Sequence, residues 1–381
     1  MDVVQYGRGD IRMKEKTGSR RKQLAGFWVR LVCFAFLTLC LLSYSTFVLT
    51  QKDDYGMCSM VTFYFQPRNS IDVLAVGTSM AYAGINTNVL WEEYGIAAYN
   101  VCSAEQPFWV SYYIIRETLK TQHPKVILLD AKPATYTRDF SKHGRVILST
   151  FGIWGPENRI GAIQACTEKP EDARNYVLGL PEVHNRYSKL EASDFTWPTE
   201  NGGRGSSWKG YIELDNEERH ERPSLVWNSV RRNMNERETE YARKIFELAE
   251  QEGITIFLVG FPNPDYANDH MYYNELWSIA EEYGITGINY NDPSLRFGLR
   301  YSSDFADWQH LNVKGSIKFS RKLATDLKER FDLPDHRGDV RYASWDECAR
   351  LWYEKYPSFE SGHADENPLP WFDGAETPAD S

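Results

Sequence analysis

The sequence predicts an α/β protein: a parallel sheet with helices on both faces, preceded by one transmembrane helix. Two observations predict the sheet. Short apolar runs of strand length alternate with helical patterns. Glycines such as Gly253 and Gly284 close helical stretches just before β-branched runs. A third observation predicts the membrane helix: residues 31–49 carry no charge and are mostly Leu, Phe, Val, Ala and Cys. About 20 such residues are needed to cross a bilayer.

The elements follow in order. Residues 73–76 are a strand, followed by a helix near 88–94. Residues 97–101 are a second strand, followed by a helix over 109–121. Residues 126–129, after Pro124 and Lys125, are a third strand. Far downstream a charged helix covers 236–251 and ends at Gly253, and 254–259 is a strand closed by Gly260 and Pro262. A helix over 274–283, a strand over 285–289 and a long helix over 313–331 complete the pattern.

Between residues 131 and 235 the alternation breaks, and Pro, Gly, Trp and charged residues dominate. We read this as an insertion of loops and short helices over the carboxyl edge of the sheet, where ligands bind in open parallel sheets. Its glycine cluster, Gly202 to Gly205, lacks the lysine and the preceding strand of a phosphate loop. Residues 334–381 read as a polar extension, with a disordered end from about 363. The domain reading is thus a basic tail at 1–30, the membrane helix at 31–49, the α/β domain at 50–333 and the extension.

Eight basic and three acidic residues precede the apolar stretch, and Lys52, Asp53 and Asp54 follow it. This bias predicts a cytoplasmic N-terminus and an extracytoplasmic remainder. A cleaved signal peptide is the rival, but Ser45-Thr46-Phe47-Val48-Leu49 makes a poor cleavage site. The whole chain has a net charge of −10, and the part beyond residue 30 carries 35 basic and 50 acidic residues, or −15. Such an acidic domain argues against nucleic acid or anionic lipid as a main partner. Cys58, Cys102, Cys166 and Cys348 are spaced too irregularly for a metal site, though the compartment permits a disulfide between two of them. No His-x-x-His or His-Glu-x-x-His spacing occurs. Neither metal nor other cofactor is therefore expected.

Two positions 231 residues apart carry the chemistry. Ser79 follows the strand ending Val76-Gly77-Thr78, with Gly77 allowing a tight turn. Alone, a serine at this corner is more often a helix cap than a nucleophile. His310 supplies the missing base, and Asp307 three residues earlier can hold its second ring nitrogen. Asp304 is a second acidic neighbour. A serine nucleophile, a histidine base and an orienting carboxylate suit acyl chemistry.

On Gly77-Thr78-Ser79 and Asp307-x-x-His310 the chain resembles the SGNH/GDSL superfamily of esterases and acyltransferases, over about residues 70–330. It is most similar to the superfamily's membrane-anchored envelope branch, which serves teichoic acid D-alanylation and exopolysaccharide O-acetylation. Gly84-Ile85-Asn86, Asn100 to Pro107, His184-Asn185-Arg186-Tyr187 and His310-Leu311-Asn312-x-x-Gly315 carry that similarity. The resemblance implies a flavodoxin-like sheet, catalytic Ser79, His310 and Asp307, and a serine O-acyltransferase or esterase of the cell envelope. It also implies a polysaccharide acceptor and a multi-pass membrane-bound O-acyltransferase as partner. A polysaccharide deacetylating esterase and a non-catalytic glycan-binding accessory protein are the alternatives.

The chain departs from the superfamily pattern in three places. Thr78 replaces the usual Asp, the second-block Gly is missing, and Asp130-Ala131-Lys132-Pro133 stands where the oxyanion-donating Asn block belongs. The Ser79 N–H should serve the oxyanion. Gln106 is a candidate side-chain donor, with holding the loop as its rival role. His184 and Arg186 are candidate substrate-binding residues, and pairing of Arg186 with an acid such as Asp194 is the competing reading.

Overall fold

A computed structural model describes residues 8–52, 56–196, 208–224 and 228–357 of the chain. Contacts divide it into two units: Met1–Gln51 with Gly179–Phe195, and Lys52–Leu178 with Thr196–Ser381.

The first unit is built on helix α1, Arg8–Leu49. Its stretch Gln23–Leu49 is long and apolar enough to span a membrane. Leu24, Phe27, Trp28, Phe34, Leu37 and Leu41 expose their side chains there, as lipid-facing residues would. The segment Gly179–Phe195 contacts this helix within the unit.

The second unit opens with α2 (Met57–Phe63), then β1 (Val73–Gly77), α3 (Ser79–Gly84) and α4 (Thr87–Tyr94). Next come β2 (Ala98–Cys102), α5 (Phe108–Thr118) and β3 (Val126–Asp130). Three helices follow: α6 (His143–Thr150), α7 (Pro156–Cys166) and α8 (Pro170–Leu178). The short α9 (Leu180–Val183) belongs to the first unit. The alternation resumes with α10 (Glu236–Glu252), β4 (Thr255–Gly260), α11 (His270–Glu281) and β5 (Thr286–Asn289). Two helices, α12 (Val313–Arg330) and α13 (Ala343–Lys355), end the described chain.

All five strands are parallel, in the order β2-β1-β3-β4-β5. The three at one side of the sheet are buried at every position because both of their faces are covered. Val73, Ala75, Val126, Leu128, Phe257 and Val259 pack with Leu90 of α4 and Phe319, Leu323 and Leu327 of α12. Their neighbours Leu74, Val76, Ile127, Leu129 and Leu258 point the other way and are equally buried. On that side α5 contacts β1, and α10 contacts both α5 and β4.

The predicted strands and helices of the sheet lie within a few residues of the observed ones. The intervening region differs in detail: α7 packs along α5, and Gly179–Phe195 joins the first unit. The stretch read as a polar extension is also partly structured core. Helix α13 packs on α4 and buries Trp345, Cys348, Ala349 and Trp352 along one face. The glycine cluster and the expected disordered end lie outside the described residues.

Candidate active site

The chain leaves β1, moves outward to β2, and then crosses back to β3. That reversal flanks the carboxyl end of β1, the place where open parallel sheets bind ligands. Ser79 stands there, as the first residue of α3. Its N–H is among those that a helix leaves without an internal acceptor.

Thr78, the N-cap, fixes this corner. Its Oγ1 accepts from the Met80 N–H at 3.2 Å and donates to Asp130 Oδ2 at 2.5 Å. The Thr78 N–H donates to the same Oδ2 at 2.9 Å, and the Lys132 N–H reaches Asp130 Oδ1 at 2.8 Å. Burial pushes the Asp130 carboxyl up from its ordinary value, while these donors and the Lys132 charge pull it down without cancelling the rise. Asp130, where the resemblance expects an Asn-bearing block, thus braces the serine's corner.

Gly77 is required for a different reason from the one its sequence context implies. It does not hold a left-handed conformation. Instead, a Cβ on Gly77 would lie 2.2 Å from the Asp130 Cβ. Close approach of β3, rather than turn geometry, demands glycine there.

His310 arrives on the loop between β5 and α12. Its Nε2 lies 2.7 Å from Ser79 Oγ. Its Nδ1 lies 2.8 Å from Asp307 Oδ2 and 2.9 Å from Oδ1. Asp307 Oδ1 also accepts from the Gln309 and His310 N–H groups, at 2.8 and 2.9 Å. Burial pushes the Asp307 carboxyl upward, but the His310 hydrogen bond and charge, with those two N–H groups, outweigh it and hold the pKa at about 2. The triad is open to water: the side chains of Asp307 and His310 are 39% and 19% exposed. Trp308, between them, is 55% exposed.

The loop carrying this pair is held from below. Asn312 caps α12 by accepting from the Gly315 N–H at 3.1 Å, and its amide donates to the carbonyls of Ser303, Phe305 and Asn216. Asp304 is not a partner of His310. Its Oδ2 pairs with Lys318 of α12 at 2.6 Å, with both side chains almost fully buried. A side chain at Gly315 would strike the Asp304 carbonyl, 2.1 Å from the added Cβ. A strap from the intervening region adds backbone bonds: Glu218 N–H to Phe305 O, His220 N–H to Tyr301 O, and Val313 N–H to Leu214 O.

The remaining sequence candidates fall elsewhere. Gln106 is fully buried, and its amide bridges two serines, accepting from Ser103 at 2.9 Å and donating to Ser111 at 3.0 Å. This is the loop-holding role, and the oxyanion assignment to Gln106 is withdrawn. Arg186 is committed to Asp194 by two bonds from Nη2, of 2.8 and 2.9 Å, and reaches the Leu49 carbonyl. His184 Nδ1 bonds the Pro181 carbonyl at 2.8 Å. Both residues belong to the first unit, and the bonds seen for them are the structural pairing, Arg186 with Asp194 and His184 with a backbone carbonyl.

No family model matches the chain, and no curated protein matches it. Among the described residues no group of His, Cys, Asp and Glu could hold a metal ion.

The bracing role of Asp130, the Lys318 partner of Asp304 and the clamping role of Asn312 were not read from the sequence. The contact that forces Gly77 was open to no one-dimensional signal. The clamp was partly legible, because an Asn three residues before Gly315 is a cap pattern.

Proposed function

We propose that this protein is a membrane-anchored serine acyltransferase or esterase of the SGNH type, acting on O-acyl groups of a cell-envelope polysaccharide. One observation carries the reading: the continuous relay from Ser79 Oγ through His310 Nε2 and Nδ1 to the Asp307 carboxylate. The sheet order β2-β1-β3-β4-β5, with the serine after β1, is also the order expected of a flavodoxin-like domain.

In this mechanism Ser79 Oγ attacks the acyl carbonyl while His310 Nε2 takes the serine proton. Asp307 keeps the Nδ1 proton in place and supports the imidazolium. The Ser79 N–H donates to the developing oxyanion. His310 then gives the proton to the leaving oxygen, and an acyl-serine remains. An acceptor hydroxyl, or water, next loses its proton to His310 and attacks the acyl-serine, releasing Ser79. A sugar hydroxyl gives transfer, and water gives deacylation.

The apolar helix and its basic flank support a single span, with the N-terminus cytoplasmic and the α/β domain outside. Tethering would raise the effective concentration beside a multi-pass O-acyltransferase that delivers the acyl group. The non-catalytic accessory reading has no observation in its favour to match the assembled relay.

The test is active-site labelling. Full-length protein in detergent is treated with a serine-reactive probe and a chromogenic acetyl ester, beside Ser79→Ala and His310→Ala. Labelling and turnover absent from both variants support the reading. Equal labelling of Ser79→Ala and wild type would sink it.

A further inference from the structure

Helix α1 is bare along most of its length and covered at its carboxyl end. Over residues 23–44 nearly every side chain is exposed, whereas residues 45–50 are buried or half-buried. The cover is the segment Gly179–Phe195 of the same unit. Gly179 lies against the helix, and a Cβ added to it would stand 2.7 Å from Thr46 Cγ2. Arg186 Nη1 reaches the Leu49 carbonyl at 3.5 Å. The last carbonyls of a helix lack internal partners, and a cation there suits the negative end of the helix dipole. Asp194 holds Arg186 in turn, and its side chain is only 4% exposed.

The segment turns two rings away from this packing. Tyr187 is 72% exposed and Phe195 is 52% exposed. His184, Lys189 and Glu191 are exposed in the same stretch.

Helix α1 sets the level at which these rings stand. Arg30 is the last charge before the apolar stretch, and charged groups keep to the edge of the hydrocarbon. About 20 helical residues rise about 30 Å, the thickness of the hydrocarbon core. Counted from Arg30, the opposite edge falls close to Thr50. The segment touches the helix at Thr46 and Leu49, so it reaches about one turn, or about 5 Å, inside that edge. Elements lying in the plane of a membrane sit about 5–10 Å deep. Tyrosine rings concentrate at that level, and long side chains such as that of Lys189 extend from it to water. Buried polar groups there need internal partners, which Arg186 and Asp194 provide for each other.

We infer that Gly179–Phe195 is a second membrane contact, a collar on the carboxyl end of α1 that lies in the headgroup layer with Tyr187 and Phe195 against lipid. Lipid is the occupant because the collar is packed on a helix that lipid itself surrounds, at the depth where such rings partition. The inference rests on reading α1 as a membrane span and is independent of the serine chemistry.

The test is photolabelling of the full-length protein in phosphatidylcholine nanodiscs. A phospholipid carries a diazirine either beside its headgroup or at the end of an acyl chain, and adducts are mapped by mass spectrometry. Both probes should label α1. The headgroup probe should label the peptides holding Tyr187 and Phe195 at least about threefold more than the chain-end probe, as a depth of about 5–10 Å implies. The double variant Tyr187→Ser, Phe195→Ser should lose most of the collar adducts while those on α1 remain. Labelled α1 beside an unlabelled collar would overturn the inference and leave the span intact, with water or another protein facing the rings. Collar adducts undiminished in the double variant would overturn it too. An unlabelled α1 would remove the span, and the collar with it.

Discussion

Asp307→Asn tests the relay most sharply, because the structure dictates how the amide must sit. Asp307 Oδ1 accepts from two backbone N–H groups, those of Gln309 and His310. An Asn must put its carbonyl oxygen there, since an NH₂ group would face two donors. The NH₂ then occupies the Oδ2 position, 2.8 Å from His310 Nδ1. Nδ1 must become the acceptor, the ring proton moves to Nε2, and Nε2 can no longer take the Ser79 proton. In a buried triad this wrong-tautomer arrangement costs about 10⁴ in kcat. Here the carboxylate is 39% exposed and partly screened, so the expected loss is smaller, roughly 10²–10³, or about 3–4 kcal/mol of transition-state stabilisation. The assay is kcat/KM on a chromogenic acetyl ester from pH 5 to 9, with His310→Ala as the inactive reference. A variant within tenfold of wild type across that range, beside an inactive His310→Ala, would refute the proposed role of Asp307.

Four further outcomes follow from named contacts. Lys318→Met strands the buried Asp304 carboxylate, and urea denaturation should show a loss of about 3 kcal/mol, near the low end for a broken buried pair because Arg300 N–H and Ser303 Oγ still bond it. Gly77→Ala forces β1 and β3 apart at Asp130, so thermal melting should show a loss of roughly 1–3 kcal/mol and acetyl-ester turnover should fall with it. Glu238 is fully buried, with its carboxyl pushed well above the ordinary range by burial, so its ionisation costs stability as pH rises above the unfolded value. Glu238→Gln keeps an acceptor for the Phe108 N–H and should raise Tm by roughly 2–4 °C at pH 8, with the gain vanishing near pH 4. Asp307 has the opposite sign: its depressed carboxyl stabilises the fold above the unfolded value of 3.8, and that contribution disappears only as pH falls through about 2. Acid unfolding of wild type and Asp307→Asn should therefore converge near pH 2.

Much of the sheet was legible because burial on both faces leaves a plain mark. Val73, Leu74, Ala75 and Val76 form an apolar run with no polar alternation, as a strand covered on both sides requires. The relay was legible for another reason: Asp307 and His310 are three residues apart, and one local turn brings them together. The amide of Gln106 was misassigned because its chemistry fits an oxyanion donor as well as a strut, and only Ser111 decides between them. Helix α13 was overlooked although it carried a signal. Trp345, Cys348, Ala349 and Trp352 repeat at helical spacing inside a segment whose average composition is polar. The Lys318–Asp304 pair spans 14 residues across a loop and a helix, and no pattern links the two positions.

The separation of 231 positions between Ser79 and His310 has a consequence for how the proposed activity would arise. The serine is set by the first strand of the sheet, and its base is set only by the last helix of the alternating pattern. A chain not yet synthesised as far as His310 holds the first without the second, so on the proposed mechanism an incomplete product lacks the proton relay. The same holds for a fragment clipped anywhere in the long intervening region. On the proposed mechanism, turnover would be a readout of completed folding for the whole α/β domain, and a destabilising change near either end should silence the other end's chemistry before any loss of secondary structure is visible.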